Sequence, residues 1–170
     1  MVLEKILFQK PGDYENVAKL LKKAKTKAWA NFCMRMMASY QAIKSSFAGK
    51  QIYYAVSGSL FDLITNAIHF VDHMVYLTGS SDFEVITDFL DNQPILSKRK
   101  GFLELTGTLL VKFKNGSEGT FTRYRSGDAP IVIQIYSDGA RYLGRELENK
   151  AWFAESKESW KWREIEMPIP

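Results

Sequence analysis

A chain of 170 residues, 46% hydrophobic and 25% charged, has room for one domain with a proper core, or for one domain and part of another. Eleven phenylalanines, eight tyrosines and four tryptophans exclude an unfolded chain. The net charge of +4 comes from 23 basic and 19 acidic residues mixed along the sequence, with no nucleic-acid module signature, so no nucleic-acid partner is expected.

Residues 2–8, "VLEKILF", have strand character and are ended by "PGD". The N-terminal stretch carries an early glutamate and no small-residue cleavage site, which does not read as a signal peptide. From Asp13, a candidate N-cap, the pattern turns helical: Tyr14, Val17, Leu20, Leu21 and Ala24 share a face, and Lys19, Lys22 and Lys23 point away as a solvated run. "KAWANFC" (27–33) reads as a second short strand, so residues 2–33 form one βαβ unit. The lone Cys33 excludes an internal disulfide and fits a reducing, cytoplasmic setting; in "NFCMRMM" it reads as a packed thiol. With one cysteine and two histidines, a dedicated metal site is not expected.

A second helix is expected over 36–47, ended by Gly49, and then "QIYYAVSG" is extended. "LFDLITNAIHFVDHMVYL" (60–77) predicts a third helix closed by Gly79. After residue 82 the period drops to two. "FEVITDFL", "TLLVKFKNGSEGTFTRY" with a turn at Asn115-Gly116, "PIVIQIYSDGARYL" with a turn at Asp138-Gly139, "AWFAES" and "WKWREIEMPI" read as successive strands. Helices followed by tightly connected strands predict an α+β domain, a largely antiparallel open sheet with helices on one face. No segment is long and apolar enough for a membrane span, and no membrane partner is expected.

The helix at 60–77 poses a problem. Asp62, Thr65, Asn66, His69, Asp72, His73 and Tyr76 fall within an arc of roughly 120°, and the rest of the circumference is apolar. A polar arc on an amphipathic helix is usually just solvated. This one, however, contains none of the strong helix formers Lys, Glu, Gln or Arg that solvated faces favour. Short, directional Asp, Thr, Asn and His side chains also suit a cleft wall, where a histidine is a candidate acid/base group. Both readings stand on the residues alone.

The motifs resemble those of the Gfo/Idh/MocA oxidoreductases. "TNAIHFVDHMVYLTG" (65–79) is similar to that family's D-x-G-x-H-x-x-D helix, "LEKILF" (3–8) to its Glu-Lys-Pro strand, "NFCMRMMASYQAIK" (31–44) to its Asn-x-x-x-Arg-x-x-x-x-Tyr stretch, and "GTLLVKFKNGSEGTF" (107–121) to its Asn-Gly hairpin. The resemblance implies a Rossmann domain that binds NAD or NADP, followed by an α+β domain. Residues 1–33 would be the last strand-helix-strand of the dinucleotide-binding domain, and 34–170 the substrate and oligomerisation domain. Position by position it implies Lys5 beside the nicotinamide and the reacting hydroxyl, as both a catalytic and a cofactor contact. It implies His69 as the proton acceptor, and Arg35, Tyr40, Thr65, Asn66 and Asp72 around the substrate.

Three positions depart from the family pattern: Ile6 stands for its proline, Thr65 for the aspartate four residues before the histidine, and Ala67 for a glycine. The "N-A-I-H-F-x-D" form resembles a branch associated with surface-glycan and amino-sugar pathways. The eleven glycines never take G-x-G spacing, so this chain alone is not expected to bind NAD(P). The expectation is a fragment of a longer dehydrogenase acting on a sugar-like substrate, homo-oligomeric through its sheet face. The alternative is a non-catalytic ligand-binding or assembly module.

Overall fold

The structure is a computed structural model that describes residues 1–5, 8 and 10–167. The chain divides into two compact units, Met1–Cys33 and Met34–Pro170. In the first, strand β1 (Val2–Leu3) runs parallel to β2 (Trp29–Ala30), with Val2 opposite Trp29 and Leu3 opposite Ala30, joined through helix α1 (Pro11–Lys23). The strand expected over 2–8 is described only as β1; Ile6 and Leu7 lie outside the described residues. α1 starts earlier than its sequence suggests. Lys10 is the N-cap, Pro11 takes the first turn where its missing N–H costs nothing, and Asp13 sits inside that turn rather than capping it. Within this unit no α1 residue is fully buried; Val17 and Leu21 are half-buried.

The second unit opens with a short 3-10 turn (Cys33–Met36) that leads into α2 (Ala38–Phe47). The turn rotates Met34 inward and leaves Cys33 exposed, so the packed thiol expected there is not found. It also shortens the helix expected from residue 36. Gly49 follows with φ +71°, a left-handed stop that suits glycine. Strand β3 (Ile52–Gly58) feeds α3 (Leu63–Thr78), and strands β4 (Phe83–Leu90), β5 (Ile95–Leu96), β6 (Leu103–Glu104), β7 (Gly107–Phe113), β8 (Glu118–Arg123), β9 (Val132–Ser137), β10 (Ala140–Arg145), β11 (Lys150–Glu155) and β12 (Arg163–Glu166) follow.

Eight of these strands form one sheet in the order β12-β11-β10-β9-β3-β8-β7-β4. Every neighbouring pair is antiparallel except β3 with β8, which is parallel. The α+β architecture read from the sequence is thus the observed one. Alternation along the strands decides the two faces. Ile52, Tyr54 and Val56 of β3 point inward with Phe121, Ile133, Ile135, Tyr142 and Phe153, and Tyr53, Ala55 and Ser57 point outward. The inward row packs with Tyr40, Ile43 and Phe47 of α2 and Phe70, Val71, Met74 and Leu77 of α3. Each such large side chain contributes roughly 1.5–3 kcal/mol on burial.

The sequence did not announce the small β5–β6 sheet, a hairpin that leaves the main sheet between β4 and β7. β4 carries a bulge between Ile86 and Phe89 and ends with Leu90 opposite Gly107, where the hairpin departs. Gly107 holds φ +93°, and a Cβ there would lie 2.6 Å from the Phe89 carbonyl oxygen and 2.8 Å from the Asp91 nitrogen. Among the described residues no helix is long and apolar enough to cross a membrane. The tight junction at Gly107 gives a direct test: Gly107→Ala should lower stability by about 1–3 kcal/mol in urea denaturation, with the m-value unchanged.

Candidate functional site

α3 is closed at its C-terminus by Gly79 (φ +76°), whose N–H donates to the Val75 carbonyl at 2.8 Å. At its N-terminus Asp62 occupies the cap position without a side-chain bond to the helix. The capping is remote. Glu104, buried on β6, accepts from the Ile64 N–H at 3.1 Å and the Leu105 N–H at 2.7 Å through one carboxylate oxygen. A carboxylate here also meets the positive end of the helix dipole. Nothing in sequence spacing indicated this partner, which lies 40 residues away.

The polar arc of α3 is not uniform along its length. Its C-terminal half is covered by the segment around α2. Asp72, 9% exposed, has both carboxylate oxygens bound by Arg35, with Nε donating to Oδ2 at 2.6 Å and Nη2 donating to Oδ1. The guanidinium is held charged by that bond, its pKa raised further by the carboxylate. Arg35 also lies over the Tyr76 ring, and Lys44 Nζ sits 4.2 Å from the same ring's centroid. His73 is fully buried: its Nδ1 is 2.9 Å from the Tyr54 hydroxyl, and its ring lies 4.0 Å from that of Tyr40. Burial, reinforced by the positive Arg35, lowers the His73 pKa to about 3, so the ring is neutral at physiological pH.

Tyr40 is itself fully buried, and its hydroxyl donates to Glu146 Oε1 at 2.5 Å. Burial pushes the Tyr40, Tyr54 and Tyr142 hydroxyls upward, and it pushes the Glu146 carboxyl up against the opposing bond from Tyr40. Tyr54, Tyr142 and Glu146 were not among the residues singled out in the sequence. The alternation in "QIYYAVSG" does, however, require one of its two adjacent tyrosines to face the core.

The N-terminal half of the arc differs. Thr65, Asn66 and His69 are half-buried, and Asn66 donates back to the Asp62 carbonyl at 2.7 Å, which aims its amide along the helix start. Among the expected site residues, then, Thr65, Asn66 and His69 share the accessible stretch of α3. Asp72 and Arg35 are engaged with each other, and Tyr40 lies in the core. Lys5 lies in a bend just after β1, half-buried within the first unit. Among the described residues no group of His, Cys, Asp and Glu could hold a metal ion.

No protein-family model and no curated protein matches the sequence. Solved structures do match the fold. A dehydrogenase, MviM, from Clostridium difficile superposes with TM-score 0.67 at 18% identity, covering 99% of this chain and 55% of its own. UDP-N-acetylglucosamine 3-dehydrogenase GnnA from Acidithiobacillus ferrooxidans gives 0.72 at 12% identity, with 99% and 56% covered. A Gfo/Idh/MocA family oxidoreductase from Vibrio cholerae gives 0.63 at 15% identity, with 99% and 55% covered. The resemblance to Gfo/Idh/MocA oxidoreductases read from the motifs is thus matched at the level of the fold. This chain spans a little over half the length of each of these three.

Two measurements test the buried half of the arc. His73 resists its proton in the folded state down to about pH 3, whereas the unfolded chain takes it up near 6.5. Stability should therefore fall as pH drops through that window, by roughly 3 kcal/mol at pH 4. The raised Glu146 carboxyl works in the opposite sense, so the comparison is with His73→Gln, whose denaturation midpoints should vary less between pH 6.5 and 4. Separately, Arg35→Ala strands a buried carboxylate and should cost about 1–3 kcal/mol, the range reduced because Arg35 is partly solvated. Part of that loss should return when Asp72→Leu is added.

Proposed function

We propose that this chain is the substrate-binding and oligomerisation part of an NAD(P)-dependent dehydrogenase acting on a sugar or amino-sugar derivative. The observation that carries the proposal is the superposition of 99% of the chain on oxidoreductases of about twice its length, one of them a UDP-N-acetylglucosamine dehydrogenase. On this reading, residues 1–33 belong to the dinucleotide-binding domain and 34–170 to the substrate domain. The surface-glycan context follows from the "N-A-I-H-F-x-D" form and from that neighbour.

The residues of the chain do not fit the dinucleotide by themselves. α1 opens on Pro11, Gly12 and Asp13 rather than on a glycine-rich turn, and an aspartate in the first turn repels phosphate. NAD or NADP would need further protein to hold it. What the chain supplies is acid/base chemistry. His69, half-buried on the open half of α3, would accept the proton of a substrate hydroxyl, with Thr65 and Asn66 hydrogen-bonding neighbouring oxygens. Lys5 would stabilise the developing alkoxide in the assembled enzyme. The Arg35–Asp72 pair would keep the helix seated, and Tyr40 would support it from beneath.

The outer sheet face supports the assembly role. Leu110, Thr120, Ala55, Gln134, Leu143 and Trp152 stand side by side in register across six strands. This row has no charged side chain and would offer a surface for a second copy. The competing reading is a binding or assembly module without chemistry, which keeps the open half of α3 for a polar ligand.

The test has two stages. An immunoblot of source cells should show a native protein larger than 19.5 kDa by about 100–150 residues. In that protein His69→Ala should lower kcat by about a hundredfold or more and leave the denaturation midpoint near the parent's. An unchanged rate removes His69 from the chemistry, and a native mass of 19.5 kDa favours the module.

A further inference from the structure

We propose that the tip of the β5–β6 hairpin docks on an anionic lipid bilayer surface, an interaction independent of the dehydrogenase reading. The hairpin forms its own two-stranded sheet, with Ile95 opposite Glu104 and Leu96 opposite Leu103. Its turn is ordered by hydrogen bonds from Ser97 N–H to the Phe102 carbonyl at 2.9 Å and from Phe102 N–H to the Arg99 carbonyl at 3.1 Å. That turn displays Lys98, Arg99 and Lys100, all exposed. Flanking them are Leu96, Phe102 and Leu103, with 82%, 64% and 59% of their surface open. Large apolar side chains this exposed cost free energy in water unless something covers them.

The charge at the tip is uncompensated. At the hairpin root Asp91 is engaged by Thr106 at 2.5 Å and by Arg125 at 3.8 Å, and Glu104 is buried as the cap of α3. Among the described residues no carboxylate pairs with Lys98, Arg99 or Lys100. Nucleic acid would meet the cations but leave Leu96 and Leu103 uncovered, since aliphatic side chains do not stack on bases as aromatic ones do. An anionic bilayer interface satisfies both groups at once. Headgroups meet the cations, each worth about fivefold in partitioning, and the acyl boundary receives the apolar side chains. No helix is required to span the bilayer.

The test is sedimentation of the full chain with vesicles of phosphatidylcholine alone or mixed with phosphatidylglycerol. The expected result is partitioning into the mixed vesicles at least tenfold above that into phosphatidylcholine, weakened by added salt. K98E/R99E/K100E and, separately, L96S/F102S should each reduce it at least tenfold, with the thermal midpoint unchanged because the altered side chains are exposed. If charge reversal perturbs folding, K98A/R99A/K100A gives the same comparison. Three results overturn the proposal: no preference for the anionic vesicles, retention by the charge variants, which would assign binding to another basic segment, and loss by the charge variants alone, which would be plain adsorption. Binding of an RNA homopolymer without vesicle binding overturns it as well.

Discussion

The second unit depends on one constraint: α3 is laid across the sheet with a polar arc that must not be left dry and unpartnered. Burying a hydroxyl, imidazole or carboxylate without a partner costs several kcal/mol, comparable to the whole margin of a small domain. The neighbouring elements answer that demand group by group. Arg35 at the entry to α2 neutralises Asp72, Tyr54 of β3 meets His73, and Glu104 of β6 caps the helix start. The apolar remainder packs through Phe70 on Phe121 and through Met74 against the strand at Gly119.

Because those partners are unevenly placed, the helix acquires two halves with different properties. The C-terminal half is locked by an ion pair, a stack of aromatic rings and a neutral histidine. Rigidity there helps to fix the direction of the N-terminal half, where Asn66 also donates back to the Asp62 carbonyl. Thr65, Asn66 and His69 sit half-buried on that rigid element. Thr65 stands where the motif that this stretch resembles has an aspartate, so that position carries no charge.

The hairpin root joins two features that lie far apart in sequence. Glu104 belongs to the β5–β6 excursion and at the same time terminates the helix that carries Thr65 and Asn66. Gly107, just beyond it, permits the backbone of β7 to pass within contact distance of Phe89, Leu90 and Asp91 at the end of β4. The excursion is therefore anchored at its base and free at its tip, where charge and apolar surface coincide.

Most of the secondary structure was legible in the sequence. Periods of 3.6 and 2, the glycines at 49, 79, 116 and 139, and the apolar alternation of the strands are local signals, written in neighbouring residues. The family motifs were legible for the same reason, since each is a short string. What the string could not convey was partnership across distance. Asp72 and His73 sit in the same polar arc as His69, and only the positions of Arg35, α2 and β3 bury the first two and leave the third half-buried. The parallel pairing of β3 with β8, the cap from Glu104 and the buried tyrosines are likewise decided by which segments meet in space. Sequence by itself determined most of the elements, the β5–β6 hairpin excepted, and which faces are apolar, because those depend on local geometry. The tertiary structure alone decided which polar groups are buried against partners and which stay partly exposed, because desolvation and hydrogen bonding depend on what lies opposite.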